Sequence, residues 1–323
     1  MLHRFGVLLI VFSCACALPS SAQTLITTIP LPSNSYGISV NSTTNRIYVA
    51  LGYSVGVIDG STNTVIDTIS VPQGAPFVAA NMVTGLVYAA GCDYNQNPAT
   101  CVVTVIDGAT DAVITTIPLQ GSRGIGIQAI TLDPATNRIY VADDNNYRIA
   151  EIDGRTNKVI DYIKTGVSET LGLAVDFSTD QILASPSGDV ILIINGSNNS
   201  AARVQVGAIN WNVAANSFTN RAYVTVNATY TGSGYGNTLG VVDLVSLKTI
   251  SNVVVGTSPF GVCVDYLTNK IFVTSGNGLV EVDGKTNTVT GAASNAGGTY
   301  VDVDSVTRLA YVSSNGVVNV VSE

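Results

Sequence analysis

The sequence contains a single histidine, His3, and it falls within the first 22 residues, which read as a cleavable leader. A chain processed after Ala22 keeps no imidazole. That excludes a histidine general base, a histidine metal ligand and a Ser-His-Asp triad. Charge is also scarce: Asp, Glu, Lys and Arg make up 11% of the 323 residues, with a net charge of −8. Lys and Arg are scattered without a run, so the acidic balance disfavours phosphate backbones and anionic lipid, and no nucleic-acid partner is expected. Beyond the leader no apolar stretch is long enough to cross a bilayer as a helix, and no segment holds a helical period. Long polar tracts are missing too. With 46% apolar residues, the composition is not that of a disordered chain.

The leader has the expected three parts. His3 and Arg4 precede the apolar run Gly6 to Leu18, and Pro19-Ser20-Ser21-Ala22 supplies small residues before Gln23. The expected product is a secreted, periplasmic or cell-surface protein; a lipid anchor on Cys14 or Cys16 is the alternative. Five cysteines are present, and two of them lie in the leader. Cys92 and Cys101 flank eight residues, Asp93 to Thr100, and are expected to form a disulfide in an oxidising compartment. Its expected role is to restrain an exposed loop. Cys263, between Val262 and Val264, reads as a buried, inert thiol.

What the chain does have is a repeat. Thr44, Thr84, Thr136, Thr179, Thr219, Thr268 and Thr307 each precede by four residues an anchor: Tyr48, Tyr88, Tyr140, Leu183, Tyr223, Phe272 and Tyr311. Three residues before each threonine stands Asn41, Asn81, Asp133, Asp176, Asn216, Asp265 or Asp304. The anchors recur roughly every 40 to 50 residues, the period of propeller blades. Within blade one, Gly37–Val40, Arg46–Ala50, Gly56–Asp59 and Thr64–Ile69 read as four short strands between Asn, Gly, Ser and Pro clusters. The Asx-x-x-Thr turn joins the first pair, with Asx and Thr oxygens expected to accept backbone hydrogen bonds. Asp59-Gly60-Ser61-Thr62-Asn63 joins the last pair, with Gly60 expected to take positive φ, and it recurs at Asp107, Asp153 and Asp283.

The prediction is an all-β, seven-bladed β-propeller of four-stranded blades, forming one domain over residues 23–323. The seventh repeat stops after its third strand. Leu25–Ile29 matches the outer-strand sequences Val65–Ile69 and Val113–Ile117, so residues 24–29 are expected to complete blade seven against 317–321.

Arg46-Ile-Tyr-Val, Arg138-Ile-Tyr-Val, Arg221-Ala-Tyr-Val and Lys270-Ile-Phe-Val, with following Val-Ile-Asp-Gly-x-Thr-Asn-x-Val-Ile segments, resemble the YVTN family of β-propeller repeats. The resemblance covers nearly all of residues 23–323. It implies the fold and an exported or cell-surface setting, but no reaction, because the shared residues are structural. Blade four departs most, with Gln181-Ile-Leu-Ala and Asn195 where other blades place Asp.

The repeated turns share one face of such a ring and read as a structural rim. The irregular loops share the other, where function usually sits. Two insertions fall there: the Cys92–Cys101 loop with Tyr94, and Asn227–Asn237 with Tyr230 and Tyr235. Twelve residues before their anchors stand Tyr36, Gln128, Leu171, Trp211 and Phe260, with Phe77 and Tyr300 one residue off that register. These residues read either as inner-layer packing or as a mouth that stacks on a glycan or peptide.

Acids on the same face are Asp93, Asp143, Asp144, Glu169 and Asp189, and the arginine is Arg123. They read first as solvated loop charge, with Glu169 and Arg123 the pair to test for anion binding or proton transfer. Asp143-Asp144-Asn145-Asn146 lacks the ligand spacing of a calcium loop, and Gly121–Gly126 precedes no helix. No cofactor or metal is expected. The sequence reading is a monomeric, noncatalytic binding or scaffold protein for a peptide, protein or envelope polysaccharide. Its alternatives are a carboxylate-dependent lactone hydrolase or lyase at the channel mouth and a surface-layer component.

Overall fold

The computed structural model describes residues 23–95, 99–121, 126–167, 169–207, 209–228 and 235–323; the predicted leader lies outside them. The described residues form 28 strands in seven four-stranded antiparallel sheets, with one short 3-10 turn at Asp144–Asn146. This is a seven-bladed β-propeller. Blade one comprises Ile38–Asn41, Arg46–Ala50, Gly52–Asp59 and Thr64–Ala75, ordered from the centre outward. The inner strands of blades two to seven are Phe77–Ala80, Ile127–Asp133, Thr170–Asp176, Asn210–Asn216, Val262–Asp265 and Tyr300–Asp304. Each inner strand contacts the next, and that of blade seven contacts that of blade one, so the ring is closed.

Closure follows the sequence expectation. Thr24–Pro30 pairs antiparallel with Val317–Ser322, for example Thr28 with Asn319 and Pro30 with Val317. The strand is also fixed by its side chains. Ile29 is buried among Tyr311, Val318 and Val320, and Leu25 packs against Phe272 and Leu279 of blade six. Gln23 reaches blade six as well, its Nε2 donating to Glu281 Oε2 at 3.2 Å.

The anchors are buried between blades. Tyr48 packs with Val78, Ala80, Val87 and Ile106 of blade two, and Tyr88 with Ile139 and Val141 of blade three. All seven anchors are at most 2% exposed. Their hydroxyls matter little: Tyr88 and Tyr311 place theirs without a partner, and Phe272 and Leu183 have none. Ring area removed from water is what the position selects, worth roughly 2–3 kcal/mol per side chain.

Two turn details differ from the sequence expectation. The first concerns threonine. Asn41 Oδ1 accepts from the backbone N–H of Thr43 and Thr44 at 3.1 and 3.3 Å, as expected. In three of the four Asp blades, however, Thr136, Thr179 and Thr268 donate their hydroxyls to Asp133, Asp176 and Asp265 at 2.8–2.9 Å. A carboxylate has acceptor capacity for both, so the repeated threonine is a donor there.

The second concerns glycine. Gly60 does not take positive φ; Asn63 does, at 53°. Gly60 is required by close approach, since a Cβ would lie 2.0 Å from Asn45 Oδ1. Its N–H donates to Asn45 O at 2.9 Å, joining the two turns of the blade, and Gly108, Gly154, Gly196 and Gly284 repeat the contact.

A third regularity escaped sequence reading. Outer strands carry a β-bulge at one repeated place, and the extra residue is Ile26, Ile66, Ile114, Ile160, Ile250 or Thr290. Bulges twist an exposed edge and hinder pairing with another chain. Blade four lacks the bulge but is otherwise complete, with Ser197 N–H capping Asn195 Oδ1 at 2.9 Å.

Candidate functional site at the channel mouths

The loop-side mouth is built by the segments leading into the inner strands. Trp211 of blade five lies 4.7 Å, centroid to centroid, from Phe260 of blade six. Phe260 meets Tyr300 of blade seven edge-on at 5.3 Å, and Tyr300 meets Phe77 of blade two at 6.3 Å. Blade one contributes Gly37 between Tyr300 and Phe77, where a Cβ would come within 3.1 Å of Pro76 O. The four rings form a half-buried arc. Burial pushes the Tyr300 hydroxyl up to about 12. Inside the arc a cavity of about 120 Å³ is lined by Phe77, Gln128, Leu171, Asn212 and Tyr300.

The structure therefore brings together Trp211 and Phe260, and places Gln128 at the cavity beside them. Tyr36 and Tyr94 are exposed, and neither lines that cavity. Arg123 and Tyr230 lie outside the described residues. Tyr235 opens the third strand of blade five, paired with Ala228.

Glu169 is exposed, with left-handed backbone (φ 54°), and its N–H donates to Asp144 Oδ1. Desolvation, the largest influence, holds the Asp144 carboxyl above its ordinary range. Asp143 is buried and occupied: it takes Arg148 Nε at 2.8 Å and Asn146 Nδ2 at 3.0 Å. Arg148 in turn stacks 3.6 Å over the Tyr162 ring. Asp189 takes Gln205 Nε2 at 2.8 Å, and Asp93 takes the Asn95 N–H at 2.9 Å. These loop acids are thus engaged in holding their own loops. Among the described residues no group of three His, Cys, Asp or Glu side chains is placed to hold a metal ion.

The Cys92–Cys101 disulfide is present, but its surroundings differ from the expectation. The two cysteines are directly opposed within the second and third strands of blade two, which continue to Asp93 and Thr100. Both are buried, in the core shared with Ile127 and Ile139 of blade three. The bond staples a core ladder, rather than only tethering a loop. It also fits an oxidising compartment. Cys263 is buried, and burial drives its thiol well above its ordinary value, as expected for an inert group.

The turn-side mouth was missed. A larger cavity of about 340 Å³ occupies that half of the channel, reaching the turns at Ser42, Met82, Pro134, Phe177 and Tyr266. Around it the two middle positions of the Asx-x-x-Thr turns carry exposed apolar groups: Val83 (70%), Phe218 (65%), Leu267 (65%) and Val306 (70%). Phe177, Phe218 and Tyr266 form a ladder across blades four to six, each step 5.8 Å. The Tyr266 hydroxyl donates to Met82 Sδ of blade two at 3.8 Å, so its ring lies across the mouth. The signal was in the sequence. Exposed tight turns favour Asn, Asp, Gly and Ser, and Phe, Tyr, Leu, Met and Val in their centres are out of place.

A third hollow, about 520 Å³, is an open groove on the outer rim between blades two and three, lined by Pro118, Gln120, Lys158 and Tyr162. Among the described residues no helix is long and apolar enough to cross a membrane. No family model matches the chain, and no curated protein is significantly similar to it; its seven blades make it a propeller repeat protein.

Proposed function

We propose that this is an exported, noncatalytic binding or scaffold protein of YVTN type that recognises a peptide, protein or envelope polysaccharide through its loop-rich face. The observation that carries the reading is the arc Trp211–Phe260–Tyr300–Phe77. Stacked rings on a rigid scaffold present sugar faces or peptide side chains with apolar area at low entropic cost. Tyr36, Tyr94 and Glu169 are exposed in loops of the same face, and in this reading they join the recognition surface. The absence of histidine from residues 23–323 and the engagement of the loop acids favour binding over turnover.

Glycan-array screening and pull-down with the chain 23–323 test the reading, followed by Trp211 emission. A ligand that binds and shifts the emission of Trp211, the sole tryptophan, supports it. Ligands that bind without moving that emission would place recognition elsewhere. Turnover of a lactone or uronate that is lost in Glu169→Gln or Asp144→Asn would replace it with the hydrolase or lyase reading.

A further inference from the structure

The inner strands present one residue each at the level of the seven anchors. Opposite Tyr48, Tyr88, Tyr140, Leu183, Tyr223, Phe272 and Tyr311 stand Ser39, Ala79, Thr131, Ala174, Ala214, Cys263 and Asp302. All seven line the 340 Å³ turn-side cavity. Six are small and uncharged, and one is a carboxylate. The rest of the wall is mostly Val, Ile, Leu and Ala, so Asp302 is the one charged side chain in the cavity lining.

Asp302 has a structural task. Its Oδ2 accepts the Val40 N–H of blade one at 2.8 Å, and its Oδ1 accepts the Val303 N–H at 2.9 Å. The task does not call for a charge, however. One blade further on, Ser39 Oγ accepts the Ala80 N–H at 3.0 Å and makes the equivalent latch with a neutral hydroxyl. Among the described residues each Asp302 oxygen takes a single hydrogen bond, half of what a carboxylate oxygen accepts. A desolvated carboxylate is relieved either by a proton or by a cation, and the acceptor capacity left over on Asp302 suits the second.

We propose that the turn-side cavity is a binding site for a small amine: an ammonium group paired with Asp302 and an aromatic or aliphatic body held by Val40, Val213, Val264 and the Phe177–Phe218–Tyr266 ladder. The cavity volume falls within the range of small-molecule sites. The ladder supplies ring faces to a cation passing the mouth, and the polarisable Met82 thioether faces Tyr266 across it. Tyr266 and Met82 both line this cavity along with Asp302, so a ligand bound there meets them as well. The site is independent of the loop-face reading and lies at the opposite mouth.

The test is calorimetric titration of the chain 23–323 with phenethylamine, 2-phenylethanol and butylamine, repeated on Asp302→Asn and Phe218→Ser. The amine is expected to bind at least about tenfold more tightly than the alcohol, as a charge-assisted hydrogen bond requires. That ratio is expected to fall toward one in Asp302→Asn. Phe218→Ser, at an exposed position, is expected to weaken phenethylamine severalfold and butylamine less. Equal affinity for amine and alcohol, an unchanged ratio in Asp302→Asn, or no binding of phenethylamine at millimolar concentration overturns the proposal. Should Asp302→Asn lose its cooperative melting transition, Phe218→Ser and the emission of Trp211 decide. Weaker binding with Trp211 silent supports the site, whereas quenching of Trp211 with Phe218→Ser at wild-type affinity overturns it.

Discussion

On the turn face, seven near-identical turns hold the backbone fixed while their central side chains range from Ser42 to Tyr266. On the loop face the backbone itself varies, yet the side chains at the channel collapse into an arc around only about 120 Å³. The irregular face is the one that sequence reasoning assigns to function, and the regular face holds the larger of the two channel cavities and the Phe177–Phe218–Tyr266 ladder. Backbone regularity and side-chain variety are separate properties. A repeat that fixes Asx and Thr leaves the two residues between them free to build a site.

Both faces depend on the closed ring, so the largest effect comes from opening it. Removing residues 24–30 strips the outer strand from blade seven, exposing Val318 and Val320, and takes Ile29 and Leu25 from their cores. Loss of the cooperative melting transition is expected; a melting temperature within a few degrees of the parent would show that the strand is dispensable.

Next is Asp302, whose carboxyl is pushed up to about 6, chiefly by desolvation. A raised carboxyl binds protons more tightly in the folded state than in the unfolded one. The stability it contributes is therefore present below the unfolded value near 4 and is lost as pH rises through about 6. Relative to Asp302→Asn, the parent is expected to lose up to about 3 kcal/mol between pH 4 and pH 7 in urea melts. Parallel pH profiles would mean that the channel is well solvated.

The two aromatic groups differ in what they do for folding. Phe260 sits between Trp211 and Tyr300, and Phe260→Ala is expected to cost about 2 kcal/mol. Phe218 is mostly exposed, and Phe218→Ser is expected to stay within about 0.5 kcal/mol. Equal costs would mean that Phe218 is packed as firmly as Phe260. The smallest effect concerns the scaffold alone. Leu247 holds φ 54° where other blades place Asn63, Asp111, Asn157, Asn199 and Asn287. Leu247→Asn is expected to stabilise by about 0.5–1 kcal/mol, read as a higher midpoint in the same melts.

Fold legibility came from residues whose job is local. The Asx–Thr pairs, the anchors and the Leu25–Ile29 match all report backbone geometry or burial, and both have short sequence signatures. Gly60 was misread because close approach and positive φ select the same residue, and only the neighbouring Asn45 distinguishes them. The disulfide's burial was not visible because the strands run further than their apolar pattern does, up to Asp93 and Thr100. The turn-side site was illegible for a different reason. Its parts come from turns in separate blades, and Tyr266 and Met82 meet only across the channel, 184 residues apart.

The central claim is that one closed ring carries two chemically different mouths, with the small-molecule site on the regular face. Hydrogen exchange at peptide resolution, with and without phenethylamine, tests it most directly. Slower exchange is expected in the turns at 81–84, 176–179, 216–219 and 265–268 and in inner strand 300–304, with segments 35–37, 75–77 and 259–261 unchanged. Protection confined to the loop-side segments, or none anywhere at saturating amine, would contradict it.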